Sequence, residues 1–199
     1  MTGKTIEKTT LLVEKVIRNS AIRFKKYGYG KTTVAEIASD LHISKKTLYS
    51  VFPSKEEIIR EAAWRETVDV MRRFNNSVPP DIRSDSLLIA LCRFIFLDRI
   101  KQGKLGLFWG MYNEEPEIHK AYYSALKRVF AALYEDGRKQ GLFKPVHHVF
   151  AAELVVNMII TASEYFHVSE QPVQMFDAAL KMIADAVAHK DRIVFDAMG

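Results

Sequence analysis

The sequence predicts an all-α protein in two parts: an N-terminal three-helix head carrying a helix-turn-helix, and a C-terminal helical bundle. Three observations predict it. Apolar residues recur at helical spacing along the chain and nowhere alternate as in a half-buried strand with hairpin turns. Proline and glycine punctuate that spacing at intervals suited to helices of ordinary length. The charge is also divided unequally. Residues 1–60 hold nine Lys and three Arg against five Glu and one Asp, a net +6, which leaves −1 for the rest of a chain whose total is +5. Pro53 marks the boundary, giving 1–53 to the head and 54–199 to the bundle.

The first helix is expected from about Lys8 to Tyr27. Leu12, Val16, Ile17, Ala21 and Phe24 share one face, and Gly28 is free to take the left-handed conformation that ends it. Thr33 opens the second helix. With Glu36 it forms a capping box, each side chain satisfying an orphan backbone donor, while Ile37, Ala38 and Leu41 turn inward. A short turn follows. Ser44 then caps a third helix ending near Ser50, with Leu48 and Phe52 on its buried side. Pro53 stops the chain, and Ser54 with Glu57 repeats the capping pattern for a long fourth helix to about Asn75. Val78-Pro79-Pro80-Asp81 reads as a linker. Beyond it helices are expected at about 84–101, 104–112, 115–140, 147–167 and 172–189, separated by Gly103, Pro116, the run 141–145 and Pro172.

Composition excludes several classes. With 48% apolar and 27% charged residues the chain has the balance of a soluble globular protein. A single cysteine, Cys92, rules out an intrachain disulfide and a cysteine metal cluster, and suits a reducing cytoplasm. Cys92 lies in an apolar run and reads as an inert core thiol. Met1–Thr10 lacks the apolar stretch of a signal peptide. The most apolar segment, 149–166, is interrupted by Glu153, Asn157 and Glu164 and makes a poor membrane span. His147 and His148 are adjacent, so they diverge on a helix and make a poor chelating pair. With no phosphate loop or nucleophile motif, neither catalysis nor a cofactor or metal is expected.

Helix, short turn and capped short helix is the geometry of a helix-turn-helix, whose second helix enters the DNA major groove. Such pairs also occur in ordinary helical cores, so the lysines decide the matter. A cation in the first turn of a helix opposes the helix dipole, at a cost of roughly 0.3–1 kcal/mol. Lys45 and Lys46 directly follow the Ser44 cap, Lys55 directly follows the Ser54 cap, and Lys31 lies just ahead of Thr33. Cations beside helix N-termini suit an external anion such as a DNA phosphate. A solvated lysine-rich surface is the alternative that charge alone leaves open. With Leu48 and Phe52 inward, Lys45, Lys46, Tyr49 and Ser50 take outer or flanking positions. Lysine donates to guanine edges and serine reads either base class. Tyr49 fits a phosphate contact or a half-buried core position equally well.

The stretch Phe24-Lys-Lys-Tyr-Gly28-Tyr29-Gly-Lys-Thr32-Thr33-Val34-Ala-Glu-Ile37-Ala38 resembles the opening of the tetracycline-repressor (TetR) family. Ile43-Ser44-Lys45-Lys46-Thr47-Leu48-Tyr49-Ser50-Val51-Phe52-Pro53-Ser54-Lys55-Glu56 continues the resemblance. It implies phosphate contacts by Thr33, Thr47, Tyr49 and Lys55, and base contacts by Lys45, Lys46 and Ser50, around the Ser44 cap. Two residues depart from the pattern. His42 stands where glycine is frequent, and histidine tolerates a left-handed backbone better than most residues. Val51 stands where an aromatic or histidine is frequent, so the contact made there is absent and the operator sequence is affected.

The later helices match that family only in number and length. Helix 147–167 is apolar on nearly every side, with Glu153, Asn157, Thr161 and Glu164 as a narrow polar stripe, so it needs cover on two faces. A second copy is the most economical second cover. The last helix adds Met175, Phe176, Leu180, Met182, Ile183 and Val187, with small residues Ala178, Ala179 and Ala186 that permit close approach. The resemblance implies a homodimer through these last two long helices, its reading heads about one DNA turn apart, roughly 34–36 Å. Segment 84–140 is rich in aromatics, which fits ordinary core or a largely apolar cavity with a few polar anchors. The resemblance favours a cavity for a small, mostly apolar or aromatic effector, lined by Trp109, Tyr112, Tyr123 and Asn157. The expected function is a ligand-responsive repressor that binds a double-stranded DNA operator, the effector biasing the angle of the fourth helix. A regulator whose second domain serves as a partner-interaction platform is the alternative.

Overall fold

The computed structural model describes residues 3–79, 84–102, 115–164 and 170–187. Within them eight helices form: α1 (Gly3–Tyr27), α2 (Val34–Asp40), α3 (Lys45–Tyr49), α4 (Lys55–Asn75), α5 (Ser84–Gln102), α6 (Pro116–Lys139), α7 (His148–Glu164) and α8 (Pro172–Val187). No strand occurs among the described residues, and the all-α expectation holds. No helix there is long and apolar enough to cross a membrane. The helix expected at 104–112 lies outside the described residues, as do Pro80 and Asp81 of the linker, Trp109 and Tyr112. α1 starts earlier than expected, at Gly3. Its first residues are mostly polar, with Ile6 alone among Gly3–Glu7 apolar, so periodicity is silent there, and past Gly3 none of them strongly disfavours a helix.

Chain contacts divide the molecule into two compact units, Met1–Val68 with Lys104–Tyr122, and Asp69–Gly103 with Tyr123–Gly199. In the first, α1, α2 and α3 pack together. Val16, Ile17, Ala21 and Phe24 of α1, Ile37 and Ala38 of α2, and the pair Leu48 and Phe52 are all buried. Leu12 and Leu41, expected inward, are only half-buried. Arg23 ties α1 to α2 through ion pairs to Glu36 (2.9 Å) and Asp40 (2.7 Å). Gly28 ends α1 at φ 83°, as a left-handed cap requires.

In the second unit α5, α7 and α8 pack on one another. Leu91, Cys92, Ile95 and Phe96 are buried from α5, Val155, Val156 and Ile159 from α7, and Phe176 and Leu180 from α8. Burial raises the Cys92 thiol well above its ordinary range, so it stays protonated. The aromatic rings here pack against each other: Phe96 stacks on Phe176 at 3.9 Å, and Tyr134 on Phe143 at 4.8 Å. Lys144 serves the end of α8. Its N–H donates to Val187 O (2.8 Å) and its ammonium to Ala186 O (2.9 Å).

Candidate nucleic-acid interface

The pair α2–α3 is built by its caps. Thr33 Oγ1 accepts the Glu36 N–H at 3.3 Å, and the Thr33 N–H donates to the Glu36 carboxylate at 2.8 Å, closing the expected capping box. That N–H, the Thr33 hydroxyl and the Arg23 guanidinium hold the Glu36 carboxyl below the usual range. The turn passes through His42 at φ 53°, the one described non-glycine residue in the left-handed region. At α3, Ser44 Oγ accepts the Thr47 N–H at 3.0 Å and shares a hydrogen bond with the Thr47 hydroxyl at 2.8 Å. The Ser50 hydroxyl donates back to Thr47 O at 2.7 Å. At α4 only half of the second expected box forms. Ser54 Oγ accepts the Glu57 N–H at 3.3 Å, but the Glu57 carboxylate pairs with Arg60 at 2.7 Å instead of turning back.

Leu48 is fully buried, which fixes the rotation of α3 and turns Lys45, Lys46, Thr47, Tyr49 and Ser50 to its exposed side. Tyr49 is 50% exposed, so of its two sequence-level readings the structure takes the outward one. Lys45 and Lys46 have no ion-pair partner among the described residues. Thr33 and Ser44 are exposed beside them. Two cations at the start of one short helix, free of internal partners, leave a positive surface that complements a polyanion.

Lys55 differs from the other lysines. It is half-buried, and its ammonium donates to Tyr29 O at 2.6 Å and Thr32 O at 2.9 Å while lying 3.9 Å from the centroid of the Tyr29 ring. The Tyr29 hydroxyl donates to Glu56 at 2.8 Å and its backbone N–H to Glu115 at 2.7 Å. Sequence reasoning missed Tyr29, Glu56 and Glu115 as a group. Tyr29 and Glu115 are 86 positions apart, and no local pattern links them.

Of the residues expected at an effector site, the structure brings two together. Asn157 Nδ2 donates to the Tyr123 hydroxyl at 3.1 Å. Asn157 is exposed, however, and stands on the outward face of α7 with Phe150, Leu154 and Thr161. Glu153 of the expected polar stripe is drawn to Lys127 at 3.0 Å.

This exposed, capped, lysine-bearing second helix defines a helix-turn-helix DNA-binding protein. Residues 19–62 match the family model for bacterial regulatory proteins of the tetR family. Over 161 residues the chain is 25% identical to the biofilm operon icaADBC HTH-type negative transcriptional regulator IcaR of Staphylococcus epidermidis, covering 78% of this chain and 83% of that one. A tetR family transcription regulator from Shewanella sp. PV-4 superposes with a TM-score of 0.64 at 17% identity, over 89% of this chain and 98% of the other. Thermus thermophilus FadR, a TetR family repressor solved with lauroyl-CoA, gives 0.59 at 17% identity, over 92% and 98%. The head of the chain is thus similar to regulators of the tetR family, and the whole chain shares their fold.

Proposed function

We propose that the protein is a cytoplasmic repressor that binds a double-stranded operator as a homodimer. The observation that carries the DNA contact is the outward set Lys45, Lys46 and Tyr49 on a helix whose rotation is fixed by buried Leu48. Lys45, Lys46 and Ser50 are proposed to meet base edges. Thr33, Ser44, Thr47 and Tyr49 are proposed to meet phosphates. Head and bundle are proposed to divide near Pro53. The repressor sense follows IcaR, which is named a negative regulator.

Dimerisation is supported by the uncovered faces of α7 and α8. Phe150 and Leu154 are 54% and 43% exposed, and Met175 and Met182 are 41% and 73% exposed. On α8 the exposed residues 175, 178, 182 and 186 follow helical spacing, methionines alternating with Ala178 and Ala186. Methionine repacks readily and alanine admits a close neighbour, a combination suited to a second helix pair. The Tyr123–Asn157 pair belongs beside this face, where it would set the register of the two copies.

The effector is proposed to be small and mostly apolar. FadR, of like fold, is known with lauroyl-CoA, whose acyl chain is of that kind. A ligand shifts a DNA-binding equilibrium only through its differential affinity for the two states. The test is therefore a titration of fatty acyl-CoA thioesters with and without a duplex that the protein selects from a random pool. Weaker binding in the presence of DNA identifies an inducer and tighter binding a corepressor. Equal affinities for every ligand that binds would support a partner-interaction platform instead. That second reading draws on the mutual stacking of Phe96 with Phe176 and Tyr134 with Phe143, which fills core space with side chains.

A further inference from the structure

A lysine in the first turn of α4 opposes the helix dipole, and an external phosphate is one way to offset that cost. The structure offers another. Lys55 directs two of its three N–H donors to the carbonyls of Tyr29 and Thr32, and its charge rests on the Tyr29 ring. Both residues are buried, at 7% and 1% exposure. They lie in the segment between α1 and α2, where carbonyls lack the regular partners of a helix. The rest of the segment is equally tied down. The Thr32 hydroxyl donates to Gly28 O at 3.0 Å, the Tyr29 hydroxyl to Glu56, and the Tyr29 N–H to Glu115. The Lys55 charge also acts on the neighbouring Glu56 carboxylate, so part of its compensation is internal.

What this segment presents outward is Lys31 and Thr33, both exposed. Lys31 has no ion-pair partner among the described residues. We propose that Lys55 is a positioning residue: it clamps the carbonyls of Tyr29 and Thr32 so that Lys31 and Thr33 face the DNA backbone, and it does not itself neutralise a phosphate. This rests on the DNA-binding reading and reassigns one residue within it. A half-buried cation held by two carbonyls and a ring gives up those contacts if it turns to a phosphate, whereas the exposed Lys31 has no ion pair to give up.

The test compares Lys55→Met, Lys31→Ala and the double variant, using a short duplex selected from a random pool by the wild-type protein. Affinity is followed by fluorescence anisotropy from about 50 to about 200 mM salt. Lys55→Met is expected to weaken binding about tenfold, because Lys31 still reaches its phosphate but is no longer pre-organised, so the slope of log K against log salt is unchanged. Lys31→Ala is expected to lower that slope by about one per half-site. In the double variant the loss is smaller than the product of the single losses, because Lys31 is no longer held in place. Hydrogen exchange on the free protein adds a readout that needs no DNA: the Lys31 and Thr32 amides should exchange faster in Lys55→Met. If that variant fails to fold, Lys55→Gln keeps donors without charge and should retain the full slope. A slope reduced by about one per half-site in either Lys55 variant makes Lys55 a phosphate contact and overturns the proposal. Strictly multiplicative losses, or unaltered exchange, overturn it as well. Failure of the wild-type protein to bind any duplex would instead remove the DNA-binding reading itself.

Discussion

The outward face of α3 and the outward faces of α7 and α8 are both left uncovered, and they carry opposite chemistry. On α3, Lys45, Lys46 and Tyr49 stand in solvent over a core fixed by Leu48. On α7 and α8, Phe150, Leu154, Met175 and Met182 are exposed over a core of Val155, Val156, Phe176 and Leu180. Exposed lysines cost a folded protein little, because water solvates them well. A contiguous exposed apolar face is costly and marks an interaction surface. The first surface therefore waits for a partner that comes and goes, while the second is suited to a partner that stays. The proposed homodimer, binding DNA reversibly, would need both.

The comparison breaks most completely if the head loses its shape. Leu48→Ala removes a fully buried side chain from the small core of α1–α3, and is expected to cost about 2–5 kcal/mol of head stability. Chemical denaturation should show that loss with DNA binding abolished and the dimer intact, since α7 and α8 are untouched. Leu154→Lys attacks the other surface. It places a charge on the face proposed for the partner copy, and sedimentation should show dissociation to monomer at micromolar concentration with helix content unchanged. If the dimer survives, the partner covers some other face.

A smaller effect sharpens the DNA side. Lys46→Ala is expected to cost about 1–3 kcal/mol on the preferred duplex and to relax base preference at one position, leaving Leu154-dependent assembly as it was. A loss spread evenly over all sequences would make Lys46 a phosphate contact. The smallest effect concerns Glu36. Its folded pKa lies below the ordinary carboxylate value, chiefly because the Thr33 N–H donates to it. Its contribution to stability is thus present above the ordinary carboxylate range and is lost as pH falls through the lowered value. Glu36→Gln should lower stability at neutral pH and flatten the acid-side decline. An unchanged acid limb would show that the capping box forms in the unfolded chain as well, or not at all.

Much of the head could be read from the residues alone, because its signals are local. Thr33 with Glu36, Ser44 before Lys45, Gly28 and His42 each act within a few positions, and each does in the structure what its chemistry implies. What the sequence leaves unread has physical reasons too. Lys55 follows a serine cap as Lys45 does, and no local pattern shows that its ammonium meets the carbonyls of Thr32 and Tyr29, 23 and 26 positions away. Glu57 preferred Arg60, one turn ahead, to its own cap. Asn157 shares the polar side of α7 with Glu153, but whether that side faces a cavity or a surface depends on packing by other helices, which periodicity does not encode. It emerged exposed, hydrogen-bonded to Tyr123 and beside the apolar face.

In the proposed complex two identical heads enter successive major grooves with α3. Methylation protection of guanine N7, which lies in the major groove, tests it directly on a duplex selected by the protein. Two protected clusters are expected, centred about one helical turn apart, roughly 34–36 Å, related by two-fold symmetry and both erased in the Lys45→Ala, Lys46→Ala double variant. A single cluster, or protection that persists in that variant, would contradict it.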